Sequence, residues 1–234
     1  MKIVGLQKLT LLDYPGQVAC TVFLGGCNFR CPFCHNGQLL ENAPAVMSPE
    51  ELLIFLQGRR GILDGVCITG GEPTLNPELP WLLRRIRELG YLIKLDTNGY
   101  RPDVLKALVG EGLVDYVAMD VKNSPDCYGE TTGLKNIHLE RIEESIDFLL
   151  NDSVDYELRT TLAMPLHSEA SIRDMAAWLQ KLAGKRKILR LFLQSFVDRD
   201  TVLMGGLSAP EDGMLEKFAE ILKQSSEKVE VRGK

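Results

Sequence analysis

The sequence predicts an α/β fold: a partial, open (β/α)6 barrel of TIM type on a parallel sheet. Short β-branched or apolar runs alternate with helical stretches about six times at roughly 30 residues per unit, the pattern of right-handed parallel crossovers. A full eight-unit barrel takes about 250 residues; this chain has 234, and residues 1–17 stand outside the repeat. Finally, the unusual polar and cysteine-rich stretches follow directly on predicted strands. The same alternation also suits a doubly wound open sheet, the competing architecture. No second domain is expected: residues 1–234 form one domain, with an N-terminal extension (1–17) and a C-terminal loop, helix and short strand (198–234).

Residues 18–24 are rich in β-branched and aromatic residues and read as a buried strand that leads straight into a cysteine loop at 25–36. Ser48-Pro49-Glu50-Glu51 combines a capping box with proline at the first helical position, opening a helix to Gln57. Val66–Thr69 is a short strand ending in Gly70-Gly71-Glu72-Pro73. Leu79, Leu82, Leu83, Ile86 and Leu89 keep the 3.6 period of a helix stopped by Gly90. A strand at 91–95 ends in Asp96-Thr97-Asn98-Gly99, and Pro102 opens a helix to Val109. The strand at 114–119 ends in Asp120-Val121-Lys122. Residues 123–136 read as a turn-rich excursion, followed by a helix (139–150), a strand (155–162) carrying Arg159, and a helix (168–183). A strand at 188–193 ends near Gln194-Ser195. A loose segment (198–210), a helix (211–223) and a short strand (228–232) complete the chain.

Composition narrows the function. Net charge is −5, with 45% hydrophobic and 25% charged residues, ordinary for a globular chain and unsuited to an electrostatic nucleic-acid binder. The N-terminus lacks the apolar core of a signal peptide, and no run approaches the roughly 18 apolar residues of a membrane span. Six cysteines are too few for a disulfide scaffold at this length. The expected location is cytoplasmic, with reduced thiols and neither nucleic acid nor membrane as a partner.

Cys27, Cys31 and Cys34 lie at spacing C-x3-C-x2-C within eight residues. Three adjacent thiols make poor disulfides but suit zinc or iron–sulfur. A structural zinc site is closed by four protein ligands, whereas three thiolates on a 4Fe–4S cluster leave one iron open. A zinc knuckle closed by His35 or Cys20 is the alternative; His35 adjoins Cys34 too closely to chelate comfortably, and Cys20 lies on a strand. The cysteine loop, Gly70–Pro73, Asp96–Gly99, Asp120 with Lys122, and Gln194-Ser195 all follow strands. In a barrel-like sheet they therefore fall on the rim that carries ligands.

Each feature has a plainer reading. Gly70 and Gly71 suit a tight turn or a close backbone approach. Asp96, Thr97 and Asn98 suit an Asx turn or a polar clamp. Lys122 is a point charge suited to a carboxylate or a solvated lysine. Arg159 points to one face of its strand and needs an anionic partner if that face is interior. Asp13 suits a turn, Cys67 and Cys127 read as structural or incidental thiols, and His138 and His167 as surface or capping residues.

Together the cysteine triplet with Phe33, Gly70-Gly71-Glu72-Pro73 and Asp96-Thr97-Asn98-Gly99 resemble the radical S-adenosylmethionine superfamily. Asp13-Tyr14-Pro15-Gly16, Cys34-His35-Asn36, Met119-Asp120-Val121-Lys122 and Arg159-Thr160-Thr161 resemble its glycyl-radical-enzyme activases, above all the activating proteins of anaerobic ribonucleoside-triphosphate reductase. The likeness spans residues 3–195. It implies that Cys27, Cys31 and Cys34 hold one 4Fe–4S cluster whose open iron takes S-adenosylmethionine. Reductive cleavage to a 5′-deoxyadenosyl radical then removes hydrogen from a glycine of a partner enzyme. It further implies that Phe33 packs near cluster and adenine, and that Gly70 and Gly71 meet the methionine ammonium, with Glu72 adding charge. Asp96, Thr97, Asn98 and Asp120 would lie beside the carboxylate and ribose with a monovalent cation, and Lys122 and Arg159 would face the cofactor. The partners implied are a glycyl radical enzyme and a flavodoxin- or ferredoxin-type reductant. Two departures stand out: Gln194 occupies a place where formate-lyase activases carry histidine, and the stretch between Asn36 and Ser48 is too short for a second cluster. The rivals are a radical enzyme acting on a small molecule or peptide, and a non-enzymatic zinc-binding protein.

Overall fold

A computed structural model describes residues 1–37, 43–151 and 153–232. The strands are β1 (Ile3–Thr10), β2 (Ala19–Leu24), β3 (Gly65–Gly70), β4 (Leu92–Thr97), β5 (Tyr116–Asp120), β6 (Asp155–Leu162), β7 (Leu191–Ser195) and β8 (Val229–Arg232). They share one sheet in chain order, β1 to β8. The pairs β2–β3, β3–β4, β6–β7 and β7–β8 are parallel, and β1–β2 is antiparallel. This is the strand order of the open, partial parallel barrel expected from the alternation. Part of the linker after Asn36, read as too short for a second cluster, lies outside the described residues.

The helices are α1 (Pro49–Gln57), α2 (Leu79–Glu88), α3 (Pro102–Gly110), α4 (Pro125–Thr132), α5 (Leu139–Leu149), α6 (Glu169–Ala183) and α7 (Met214–Leu222). Within the N-terminal extension, β1 pairs with β2 from Ile3↔Leu24 to Thr10↔Ala19, outside the parallel repeat. One expectation needs correction. The excursion 123–136 contains α4, with Pro125 in its first turn and Gly133 as a left-handed cap at φ 71°. Start and stop signals for this helix are therefore present in the sequence; its Gly129, Thr131 and Thr132 are weak helix formers that mask them.

Packing divides the chain into two compact units, Met1–Asn28 with Gln38–Thr97 and Arg101–Ala118, and Phe29–Gly37 with Asn98–Tyr100 and Met119–Lys234. In the first unit, α1 opens on a capping box between Ser48 and Glu51. The apolar stripe of α2, Leu79, Leu82, Leu83 and Ile86, is fully buried. Tyr14, from the segment after β1, packs with Ala19 and Tyr116 against Leu92. In the second unit Trp178 of α6 stands edge-on to Tyr128 of α4, 6.1 Å between centroids, and donates to Glu143 Oε1 at 2.8 Å. At the end strand β8, Arg232 makes two 3.0 Å bonds to the buried Glu157 and lies over the Phe192 ring. That pairing supplies the counter-charge a buried carboxylate needs.

Candidate active site

The second unit holds Cys31, Phe33, Cys34, Asn98, Asp120, Lys122 and Arg159 of the residues expected to act. Asp120 ends β5 and is bracketed by two cations, with Lys122 Nζ 2.8 Å from Oδ2 and Arg159 Nε 3.0 Å from Oδ1. Val121 N–H donates to Arg159 O at 2.8 Å, which brings the two strands into register and carries Arg159 to Asp120. Arg159 thus has an anionic partner within the protein. Burial alone would raise the Asp120 carboxyl; Lys122 and Arg159 outweigh it and hold it at about 2. The Lys122 ammonium, which burial would discharge, is raised by Asp120 and then by Cys31. It also lies 5.9 Å from the Phe33 ring centroid, close enough for a cation–π contact.

Cys31 is buried and Cys34 half-buried, and Cys34 N–H donates to Cys31 O at 3.0 Å in a tight turn. Burial pushes the Cys31 thiol up to about 11, against the pull of Lys122, and raises Cys34 in the same way. Three contacts hold this loop from outside. Arg30 N–H donates to Thr132 O at 2.8 Å, Thr201 Oγ1 to His35 O at 2.6 Å, and Met204 N–H to Pro32 O at 3.1 Å. His35 stacks on Phe196 at 5.6 Å, and burial lowers its pKa. The end of α4 is thus a support for the cysteine loop, and a Cβ on Gly133 would meet Arg30 O at 2.5 Å.

His167 departs from its expected surface or capping role. It is fully buried, with one ring nitrogen 2.8 Å from Lys122 O and the other 3.1 Å from the Ala163 backbone. Its ring stands edge-on to Phe33 at 6.1 Å. Phe33, Lys122 and His167 therefore form one packed group, which no single-sequence signal announced. Asn98 Oδ1 accepts from Tyr100 N–H at 3.0 Å, an Asx-type turn. Gly99, at φ 74°, leaves no room for a side chain beside Met119. Gln194, half-buried on β7, stands in register with Thr161 and Arg232.

The first unit holds Cys27, Gly70, Gly71, Glu72, Asp96 and Thr97. Gly71 N–H donates to Leu24 O and Glu72 N–H to Gly26 O, both at 2.8 Å. A Cβ on Gly71 would lie 2.0 Å from Gly26 O, and one on Gly70 (φ 117°) 2.4 Å from Leu24 O. The two glycines let the chain approach the start of the cysteine loop. Glu72 is 1% exposed, and its Oε1 accepts from Thr74 N–H (3.2 Å), Thr74 Oγ1 (2.5 Å) and Thr97 Oγ1 (2.7 Å). Its carboxylate thereby ties the loop after β3 to the end of β4. Thr21 Oγ1 donates to Asp13 Oδ2 at 2.5 Å, so Asp13 bonds to β2 as well as turning the chain. Lys94, which nothing in the sequence marked, is buried and ion-paired with Asp96.

The Radical SAM superfamily model matches residues 21–180. The chain belongs to this superfamily. A glycyl-radical enzyme activating enzyme of Methanocaldococcus jannaschii is 35% identical over 179 residues, 74% of this chain and 72% of the relative. The pyruvate formate-lyase-activating enzyme of Clostridium pasteurianum is 32% identical, covering 80% and 79%. Among solved structures, a domain of pyruvate-formate lyase-activating enzyme from Bacteroides vulgatus aligns with TM-score 0.57 at 20% identity, covering 72% of this chain and 99% of that one. Streptococcus suis SuiB bound to its precursor peptide aligns with TM-score 0.66 at 15% identity, covering 91% and 48%. At such identities the structures speak to the fold alone.

The chain is thus a radical S-adenosylmethionine enzyme of the glycyl-radical-activating kind, and its cofactors are a 4Fe–4S cluster and S-adenosylmethionine. The residues present suit such a cluster. None of the six cysteines is in a disulfide, and Lys122 offsets negative charge as Cys31 and Cys34 lose their protons to a metal. Among the described residues no three His, Cys, Asp or Glu side chains gather as they would around a single ion. Cluster cysteines bind separate irons and need no such gathering. No described helix is long and apolar enough to cross a membrane.

Proposed function

We propose that this enzyme activates anaerobic ribonucleoside-triphosphate reductase, with Cys27, Cys31 and Cys34 as the cluster ligands. The observation that carries the cofactor part of this reading is the Asp120–Lys122–Arg159 group beside Cys31 and Phe33, a fixed charge array next to a cysteine loop that suits a zwitterionic cofactor. Held by Cys27, Cys31 and Cys34, the cluster would supply one-electron reducing chemistry for the cleavage of S-adenosylmethionine, toward removal of hydrogen from the partner's glycine. The protein binds and orients. Lys122 and Arg159 present positive charge toward the methionine carboxylate, Asp120 fixes both, and Phe33 packs against the cofactor. Asp96, Thr97 and Asn98 bind its polar groups, and Gly70, Gly71 and Glu72 shape the loop that faces its ammonium. A flavodoxin- or ferredoxin-type protein delivers the electron.

The choice of reductase over formate lyase rests on Asp13–Gly16, Cys34–Asn36 and Met119–Lys122, and on Gln194 in place of histidine. The test is activation in vitro. Reduced, cluster-loaded enzyme and S-adenosylmethionine are incubated with either purified partner, and the partner's own turnover is assayed. Nucleotide reduction is the expected gain. Gain of formate-lyase activity alone contradicts the assignment.

A further inference from the structure

Lys94 is 2% exposed. It lies on β4, two residues before Asp96 and on the same face, since strand side chains alternate. The register places Thr21, Cys67 and Lys94 side by side on β2, β3 and β4. One row nearer the strand starts are Ala19, Gly65 and Leu92, of which Ala19 and Leu92 pack with Tyr14 and Tyr116. Lys94 therefore rises from an apolar floor through a row that offers it a thiol, Cys67 Sγ at 3.8 Å, and one carboxylate, Asp96 Oδ1. Cys67 Sγ is also 3.8 Å from Asp96 Oδ1. Burying an ammonium is unfavourable unless it is paired, so its presence calls for a counter-charge. Asp96 supplies it at the C-terminal end of β4, where the strand's functional loop begins.

We propose that Lys94 is a positioning residue for S-adenosylmethionine binding, acting through Asp96. The ammonium fixes the rotamer of the carboxylate from the strand side, so that the group enters the ligand loop pre-oriented. This rests on the reading of Asp96 as a cofactor contact. An ion pair of this kind relates to the bound ligand as an outer-shell partner relates to a metal ligand, setting geometry without touching what is bound.

The test is a double-mutant cycle read as the S-adenosylmethionine dissociation constant of the cluster-loaded enzyme, by equilibrium dialysis, with iron and sulfide content measured alongside. Lys94→Met is expected to weaken binding by about 10- to 100-fold at unchanged cluster content, as loss of an orienting partner does. In an Asp96→Asn background the same change is expected to have no further effect. Equal losses in both backgrounds would show that Lys94 acts independently of Asp96 and would overturn the inference. So would an unchanged constant in Lys94→Met beside a weakened one in Asp96→Asn. An unchanged constant in Asp96→Asn removes the underlying reading of Asp96 instead, so the two failures are distinct. Lys94→Gln, carried through the same cycle, serves if the methionine variant does not fold.

Discussion

Asp120 shows how a few side chains set the chemistry of a loop. Its carboxyl falls from an ordinary 3.8 to about 2, because Lys122 and Arg159 outweigh the effect of burial. A depressed carboxyl contributes stability that is complete above the unfolded pKa and lost as pH falls through the folded one. Wild type is therefore expected to exceed Asp120→Asn in stability near neutrality, and the gap to close between pH 4 and 2, as denaturant melts across that range would show. His167 has the same sign by another route, since burial lowers its pKa below the usual 6.5. Its contribution is complete above pH 6.5 and fades as the solution is acidified. His167→Gln is expected to flatten the stability profile below pH 6.5. Glu72 depends on its donors, and Thr97→Val removes the 2.7 Å bond to a buried carboxylate. The expected loss is about 1–3 kcal/mol, read by urea denaturation. Asp120 and Lys122 could be found in the sequence because charged residues at and just beyond a strand end stand out from their apolar neighbours, and Arg159 because it falls in a motif of the family likeness. Lys94 and His167 could not: a lysine in a strand reads as solvated until the sheet register buries it. A histidine before a helix reads as a cap until its ring is seen bonded to a distant carbonyl.

At the scale of elements, the helices with strong apolar stripes and clear caps were legible, and α2 is the best case. Truncating Leu83, fully buried on that stripe, to alanine is expected to cost about 2–5 kcal/mol, measurable as a lowered denaturation midpoint. β1 escaped because it pairs antiparallel, outside the strand–helix alternation that revealed the rest. α4 escaped because propensity pointed away from helix while its proline and glycine pointed toward one. The glycines at the end of β3 suit either a tight turn or a close approach in the sequence, which does not say to what. Their backbone meets Leu24 and Gly26, so Gly71→Ala forces a Cβ against Gly26 O. The expected cost is at least about 1–3 kcal/mol, and cluster loading should fall with it because Gly26 leads into Cys27. Parallel measurement of stability and iron content on that variant checks both halves.

For the whole molecule, the parallel strand order and the family followed from the alternation and the cysteine motif, whereas the two compact units did not. A contact division depends on which loops fold back on which strands, and periodicity carries no such information. The proposed chemistry rests on Cys27, Cys31 and Cys34. Replacing Cys27, Cys31 or Cys34 by alanine is expected to leave the enzyme unable to cleave S-adenosylmethionine, seen as loss of 5′-deoxyadenosine formation. The most direct measurement of the central claim is electron paramagnetic resonance on reduced, cluster-loaded enzyme mixed with S-adenosylmethionine and anaerobic ribonucleoside-triphosphate reductase. A glycine-centred doublet on the reductase, absent from the Cys31→Ala control, is the predicted result. Steady 5′-deoxyadenosine production with no doublet on the reductase would contradict it.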